Sequence, residues 1–296
     1  MSDSSIWQLR DRTLTPGSPP LVMGIVNVTP DSFSDGGRYL DPDAAVAHAM
    51  ELVERGADLL DIGGESTRPG SQPISLEDEL ARVVPVVRRL AQLTSVPLSV
   101  DTSKAEVARQ ALEAGAHIVN DVTALQGDPA MLEVVRTHEA GAIVMHMRGT
   151  PATMQLAPHY ENVVAEVVEF LEARLQTCRN VGIAESRLVF DPGIGFGKTR
   201  EHNLRLLSHL EELRRLGRPV CLGVSRKGFL GKLLDRPLER RLAGSLAAVC
   251  YALMRGSAHI VRVHDVAETR DALVVLEALK ASEGGGSLAG STGPAV

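Results

Sequence analysis

Hydrophobic and polar positions repeat along this chain in a unit of constant order. In four segments a helical pattern stops at a glycine, a short apolar run follows, and the run ends in a polar residue. These segments are 54–61, 113–120, 139–146 and 254–262. Glycine supplies the left-handed backbone that ends many helices, and a continuous apolar run is typical of a strand buried on both faces of a parallel sheet. The unit therefore predicts a helix followed by a buried strand.

Extending this pattern over the whole chain predicts eight strands separated by helices. We expect the strands at 21–27, 57–62, 97–101, 116–121, 141–146, 187–191, 219–224 and 258–263. Strict alternation of strands and helices over ~260 residues favours a single-domain α/β fold, the (β/α)8 TIM barrel. An open, doubly wound sheet is the alternative on pattern alone, although no Gly-x-Gly-x-x-Gly sequence follows the first strand.

The two ends of the chain differ from the repeating part. Residues 1–20 are polar and end in Pro-Gly-Ser-Pro-Pro, which predicts a loose N-terminal lead-in with one short strand. Residues 283–296 are rich in Gly, Ser and Ala and are predicted to be a disordered tail. The barrel domain is therefore expected to span residues 21–282.

Composition and charge narrow the classes of partner. The chain has 296 residues, 44% apolar and 3% aromatic, and a net charge of -6, which argues against a nucleic-acid partner. Its three cysteines, Cys178, Cys221 and Cys250, lie far apart and match no zinc spacing, so we expect buried free thiols in a reducing compartment. No signal-peptide core and no apolar run of ~18 residues is visible. A cytoplasmic protein without a membrane partner is the expectation.

Polar residues stand where the predicted strands end, which is where a TIM barrel builds its active site. Strands three, four and six end in the acids and the amide Asp101, Asn120 and Asp191. Strands one, two and eight lead to Asn27, Arg68, Arg262 and His264. Any one such residue can simply cap the next helix. Together, however, the two groups predict a ligand with a flat heterocycle carrying N–H donors at one end and an anion at the other.

One glycine-rich segment invites a different interpretation. Residues 189–199, VFDPGIGFGKT, end in Gly-Lys-Thr as a phosphate-binding P-loop does. The P-loop pattern needs a glycine at position 192, which is Pro192, so the spacing is one residue short. We therefore expect the glycines to let the backbone turn close to a ligand. Lys198 and Thr199 are expected to serve the loop or the next helix.

Eight motifs in order resemble one known family. They are NVTPDSFSDGG (27–37), DIGGESTRPGS (61–71), DTSKAEVA (101–108), NDVTA (120–124), MHMRGTP (145–151), DPGIGFGKT (191–199), GVSRKGFLG (223–231) and RVHDV (262–266). Together they are similar to dihydropteroate synthases, over about residues 21–280. That family joins a dihydropterin pyrophosphate to p-aminobenzoate, giving 7,8-dihydropteroate, and we find no departure at the motif positions.

The resemblance implies roles for individual residues. Asp191, Asn120 and Asp101 would contact the pterin ring, and Lys227 would donate to the ring's acceptor atoms near p-aminobenzoate. Asn27, Arg68, Arg262 and His264 would form the diphosphate and Mg²⁺ site, with Asn27 as the metal position. Phe196 would be an apolar wall for the aryl amine and for competing sulfonamides. The implied catalytic residues are Asp101, Lys227, Arg262 and His264, and further implied substrate contacts are Thr67, Met145, Gly195, Ser225 and Phe33.

Several interpretations stay open at this point. Lys227 could be a solvent-exposed lysine at a helix start, or the Schiff-base lysine of an aldolase. The pterin pocket could belong to a corrinoid-linked methyltransferase or to a non-catalytic paralogue. The loops 28–38 and 64–74 are expected to close over the intermediate, although each could be an ordinary rigid loop. A homodimer is implied by the resemblance, and the apolar stretch 242–254 is a candidate for its interface or for plain core.

Overall fold

A computed structural model describes residues 6–17, 19–29 and 42–283. Its strands are β1 (Trp7–Gln8), β2 (Thr13–Leu14), β3 (Leu21–Asn27), β4 (Leu59–Gly63), β5 (Leu98–Asp101), β6 (Ile118–Asp121), β7 (Gly141–Met145), β8 (Leu188–Asp191), β9 (Cys221–Leu222) and β10 (Ile260–Val263). β1 and β2 form an antiparallel hairpin, and the other eight strands are those predicted from the sequence. The predicted tail 283–296 lies outside the described residues, apart from Glu283.

Helices separate the barrel strands, as the sequence pattern predicts. They are α1 (Pro42–Glu54), α2 (Leu76–Leu93), α3 (Ala105–Ala114), α4 (Met131–Thr137), α5 (Val163–Asn180), α6 (Arg200–Ser208), α7 (Gly228–Leu234), α8 (Leu242–Met254) and α9 (Val266–Glu283). Local caps begin several of them: Ser75 accepts a hydrogen bond from the backbone N–H of Asp78 at 3.0 Å, and Thr199 caps α6. No helix in the described ranges has both the length and the hydrophobicity needed to cross a bilayer.

The eight strands form a closed barrel. Each pairs in parallel with its neighbour, in the order β8-β7-β6-β5-β4-β3-β10-β9. The two ends of this order meet where Phe190 of β8 pairs with Val220, the residue before β9. This closure confirms the TIM barrel and excludes the open sheet.

Alternate residues of each strand face the barrel axis, because side chains on a strand point to opposite faces in turn. The outward residues pack under the helices in one large core. The inward residues at the N-terminal end of the barrel form a separate apolar layer, which consists of Met23, Leu59, Ile118, Ile143, Val189, Cys221 and Ile260. Because this layer is sealed, a ligand can enter the barrel only at the opposite end.

The N-terminal hairpin seals that layer, which the expectation of a loose lead-in with one short strand did not anticipate. Trp7 is 0% exposed and packs with Leu9 against the layer. The indole N–H of Trp7 donates to the carbonyl of Arg187 at 2.9 Å, and a guanidinium N–H of Arg187 donates to the carbonyl of Leu9 at 3.1 Å. The hairpin therefore belongs to the barrel as its floor.

Candidate active site

The polar mouth of the barrel is the next inward-facing layer above the apolar one. Strand register places its members side by side: Asp101 is opposite Asn120 on the neighbouring strand, and Met145 is opposite Asp191. Asp61 and Arg262 stand two residues after Leu59 and Ile260 of the apolar layer, and so face inward at the next level. Residues far apart in the sequence thus converge on one mouth.

Arg262 joins the two groups of residues that the sequence separates. Its Nε donates to Asp61 at 2.6 Å, and its Nη2 donates to Asp101 at 2.7 Å. The side-chain amide of Asn120 donates to the same oxygen of Asp61 at 3.0 Å. Acid, amide and guanidinium therefore form one connected network at the mouth.

Asp61 is a site residue that the sequence prediction did not select. It is 0% exposed, and its Oδ1 is buried with no hydrogen-bond partner among the described residues. A buried acceptor of this kind is costly unless a donor reaches it. The signal was present in the sequence, because Asp61 ends a predicted strand in the inward register. No sequence signal indicated its pairing with Arg262, which lies 201 positions away in the chain.

Burial changes the proton affinity of the acids at the mouth. Burial raises the pKa of Asp191, although the backbone N–H of Gly193 donates to its Oδ1 at 2.6 Å and lowers the pKa in part. Burial likewise raises the pKa of Asp101, against the opposing effect of Arg262. Both side chains are therefore shielded from solvent, and hydrogen-bond donors of a ligand would stabilise their charged forms.

The segment 191–199 is built on three left-handed glycines, not on a P-loop. Gly193, Gly195 and Gly197 have φ values of +67°, +87° and +63°. A Cβ at Gly193 would lie 1.8 Å from the carbonyl oxygen of His146, and one at Gly197 would lie 2.4 Å from that of Arg148. The glycine spacing is thus required by backbone conformation and close approach. Thr199 caps the next helix, as predicted.

Lys227 and Phe196 form one wall of the mouth. The ammonium of Lys227 lies 4.0 Å from the centroid of the Phe196 ring, and the lysine stem packs near Gly195. Phe196 belongs to an apolar cluster with Val122, Met145 and Met154, which Met147 covers. Burial lowers the pKa of Lys227 to about 8. Although it stands at the N-cap of α7, Lys227 is half-buried, so it is not the solvent-exposed lysine of the alternative interpretation.

His264 is held in position by Ser225. The Ser225 hydroxyl accepts from the backbone N–H of His264 at 3.2 Å and lies 3.0 Å from its Nδ1. In the tautomer whose Nδ1 accepts the hydroxyl proton, the neutral ring carries its own proton on Nε2. Burial lowers the pKa of His264 to about 4. Beside it, Arg226 pairs with Asp265 at 3.0 Å and ties the Ser-Arg-Lys segment to the turn between β10 and α9.

The loop 64–74 is anchored at its root and exposed at its tip. Arg82 donates to the carbonyl of Gly64 at 2.9 Å, while Lys104 pairs with Glu65 and, at 2.5 Å, with Glu79. Further along, the N–H of Gly70 donates to the carbonyl of Pro151, in the loop after β7, at 3.1 Å. The loop after β4 therefore reaches the loop after β7, across the barrel mouth.

Three predicted site residues stay apart from the network. Thr67 is half-exposed and Arg68 exposed, and neither side chain forms a hydrogen bond or ion pair with another described residue. Asn27 ends β3 opposite Gly63, and its side-chain amide likewise has no partner in the described ranges. Phe33 and most of the predicted loop 28–38 lie outside the described residues. Across those ranges no group of three or more His, Cys, Asp or Glu could hold a metal.

Comparison with known proteins adds to this geometry. The profile of a family described as pterin binding enzyme matches residues 23–264. The dihydropteroate synthase of Escherichia coli strain K12 is 49% identical over 261 residues, covering 88% of this chain and 92% of that protein.

Solved structures share both sequence and fold. A structure of Xanthomonas albilineans dihydropteroate synthase with 4-aminobenzoic acid has a TM-score of 0.87 at 50% identity, covering 94% of this chain and 99% of that one. A structure of the enzyme from the same organism with 7,8-dihydropteroate has a TM-score of 0.83 at 48% identity, covering 93% and 99%. A sulfonamide drug complex of the Yersinia pestis enzyme has a TM-score of 0.87 at 46% identity, covering 94% and 99%.

A closed barrel with buried acids beside a guanidinium fork, matched by this profile over most of its length, is a pterin-binding enzyme. More narrowly, the chain belongs to the dihydropteroate synthase family. The family resemblance seen in the sequence motifs is confirmed, and with it the class of enzyme, a transferase.

Proposed function

We propose that this chain condenses 6-hydroxymethyl-7,8-dihydropterin pyrophosphate with p-aminobenzoate, giving 7,8-dihydropteroate and pyrophosphate. The observation that carries the proposal is the network at the mouth, in which Arg262 lies between Asp61 and Asp101 and Asn120 completes the set. Acids and an amide suit the heterocycle, and the cations beside them suit its leaving group.

At the ring end, the acids act as acceptors. Two adjacent N–H donors of a pterin suit one carboxylate that accepts both, as acids do in recognising bases. Asp191 takes this role, with Asn120 and Asp101 as further ring contacts. Lys227 donates to the ring's acceptor atoms. Its half-buried ammonium interacts electrostatically with Asp191 and lies over the Phe196 ring.

At the other end, fixed donors stabilise the leaving group. The C–O bond between the pterin methylene and the pyrophosphate breaks, and its electron pair leaves with the pyrophosphate. Arg262 and the Nε2–H of His264 stabilise that charge as it develops. The aryl amine nitrogen then forms a bond to the cationic methylene carbon and releases a proton. Thr67 and Arg68, on the loop 64–74, help to exclude water.

A magnesium ion fits the donor set at Asn27. Its side-chain oxygen is available at the mouth, and hard cations such as Mg²⁺ prefer oxygen ligands. A pyrophosphate supplies several of these oxygens itself, so a single protein ligand is enough. When bound, the ion would neutralise charge on the leaving group. Asn27 holds and orients that end of the substrate.

The aryl amine binds against the wall of Phe196 and Met145, beside Lys227. This wall is apolar with one cation at its edge, which suits a benzoate ring with its carboxylate. Sulfonamides have the same flat ring and an acidic group, and we propose that they compete for this wall. The sulfonamide complex of the Yersinia pestis relative supports this assignment.

A pyrophosphate-release assay tests the function. The chain is incubated with both substrates and Mg²⁺, and 7,8-dihydropteroate is identified by mass. We expect product that depends on both substrates, and loss of nearly all activity in Asp191→Ala. The control is Glu161→Ala, an exposed acid before α5 at the same end of the barrel, which should keep its activity. Activity that survives Asp191→Ala would remove the ring assignment.

We also infer a homodimer in the cytoplasm. Large apolar side chains are exposed on α8 and α9, namely Tyr251, Met254, Val274, Val275 and Leu279. Such a patch is typical of a subunit interface. The stretch 242–254 serves both roles considered for it, because Val249 and Leu253 are buried while Tyr251 and Met254 are exposed. The three cysteines are free, as a reducing compartment favours.

A further inference from the structure

The lysine of the Gly-Lys-Thr sequence is buried within the segment 191–199 and has no part in the chemistry above. Lys198 is 2% exposed. Its Nζ donates to the carbonyls of Gly193 at 2.9 Å and Phe196 at 3.0 Å, and lies 2.9 Å from Nδ1 of His146. An ammonium has three N–H groups, and these three acceptors satisfy all of them.

The segment wraps around this ammonium. Its left-handed glycines turn two of its own carbonyls inward onto Lys198. Two further carbonyls of the segment accept hydrogen bonds from side chains outside it. Gln155 donates to the carbonyl of Gly195 and Tyr160 donates to that of Gly197, each at 2.8 Å. A segment with three closely spaced glycines has high backbone freedom when no hydrogen bonds restrain it. Its conformation at the mouth therefore depends on these side-chain donors.

His146 connects the ammonium to the barrel. Its backbone N–H donates to the carbonyl of Asp191 at 3.0 Å, and its ring packs edge-on against Phe170 with centroids 4.9 Å apart. Burial lowers the pKa of His146 to about 2, so the ring is neutral and its Nδ1 accepts the lysine proton. The Nδ1 acceptor is thus held in place, because the His146 ring is packed against Phe170.

We propose that Lys198 is a positioning residue for the aryl amine, holding the 193–196 backbone so that the Phe196 ring stays against Lys227. The proposal rests on the function above, which assigns Phe196 to the aryl amine. Lys198 binds the carbonyl of Phe196 itself. The backbone of Asp191 is held by the pairing of β8 with β7, and only one hydrogen bond, from the N–H of Gly193, links its carboxylate to the segment. Loss of the lysine therefore disturbs the aryl amine wall more than the pterin contact.

Steady-state kinetics of Lys198→Met separate the two subsites. We expect the KM for p-aminobenzoate to rise about tenfold or more, because two buried carbonyls lose their donor. The Kd of a pterin ligand, measured by calorimetry, should change by less than about threefold, which also shows that the barrel is folded. Lys280→Met on α9 is the matched control and should change neither value. Equal weakening of both ligands, or no change in either, would overturn the proposal.

A pair of substitutions at the acceptor decides the question if Lys198→Met does not fold. His146→Phe keeps a ring against Phe170 but removes the acceptor, and should raise the KM for p-aminobenzoate. His146→Asn keeps an acceptor oxygen near the position of Nδ1 and should restore the KM to nearly the wild-type value. Identical behaviour of the two variants refutes the positioning role. A wild-type chain that makes no dihydropteroate refutes the proposed function instead.

Discussion

Asp61 shows how one buried side chain supports several others. One of its oxygens accepts from both Arg262 and Asn120, so it fixes the proposed leaving-group donor and a proposed ring contact at once. The carboxylate is fully buried, and Arg262 is largely so. A buried ion pair of this kind is costly to break from one side, because the remaining charge stays out of water.

Asp61→Asn should therefore destabilise the protein by about 3 kcal/mol or more. The amide keeps the shape of the side chain and removes only its charge, leaving Arg262 with Asp101 alone. Urea unfolding measures the change. The control is Glu201→Gln, which breaks the exposed pair of Glu201 with Arg200 and should have little effect. Equal effects of the two substitutions would contradict this account of the network.

Lys227 predicts how pterin binding depends on pH. Its pKa is lowered to about 8 by burial, so its charge is lost as pH rises through that value. If the charged form donates to the ring, pterin affinity should fall as pH rises above about 8. Calorimetry between pH 6.5 and about 9.5 measures this, because the interval contains the lowered pKa and ends below the ordinary lysine pKa of about 10.4. Lys227→Met should bind the pterin weakly at every pH and show no such decline. A decline that persists in the variant would show that a group other than Lys227 causes it.

At the scale of elements, the N-terminal hairpin is the barrel's floor, and Trp7 is its largest contribution. Trp7 is fully buried against the apolar layer and donates to Arg187. Trp7→Ala should lower the free energy of unfolding by about 3–5 kcal/mol, the usual range for removing a buried aromatic ring. Thermal unfolding shows this as a lower Tm, with kcat unchanged below the transition. Thr13→Ala, at an exposed position of the same hairpin, is the control.

The apolar face of α8 and α9 predicts the oligomeric state. Met254 is 69% exposed, and a charge there should prevent a second copy from packing on the face. In light scattering we expect a dimer for the wild-type chain and a monomer for Met254→Glu. Leu93→Glu places the same charge at an exposed leucine of α2 and should leave the dimer intact. A wild-type monomer, or a dimer that both variants retain, contradicts the proposed interface.

At the scale of the whole molecule, local patterns predicted most of the fold. All eight barrel strands lie within the predicted ranges or end within one residue of them, because a strand buried on both faces is a continuous apolar run. Only β9 is much shorter than expected, at Cys221–Leu222 against 219–224. Strand ends also predicted the mouth, since a parallel barrel brings the carboxyl ends of its strands together.

What the sequence pattern could not predict are contacts between distant positions. The hairpin looked like a polar lead-in because the surface that buries Trp7 exists only once the barrel has closed. The pairing of Arg262 with Asp61 spans 201 positions, and that of Lys198 with His146 spans 52. No local spacing records such pairs. The motif resemblance supplied roles for Asp191 and His264, whereas the partners of Asp61 and Lys198 emerge only from the three-dimensional arrangement.

The central claim is that one mouth binds a heterocycle at its acidic end and a diphosphate at its cationic end. Calorimetry with 6-hydroxymethyl-7,8-dihydropterin and with its pyrophosphate ester tests this most directly. Asp191→Asn should weaken both ligands by about tenfold or more, whereas His264→Ala should weaken only the ester. Unchanged binding of the alcohol to Asp191→Asn, or equal weakening of both ligands by His264→Ala, would contradict the two-ended site.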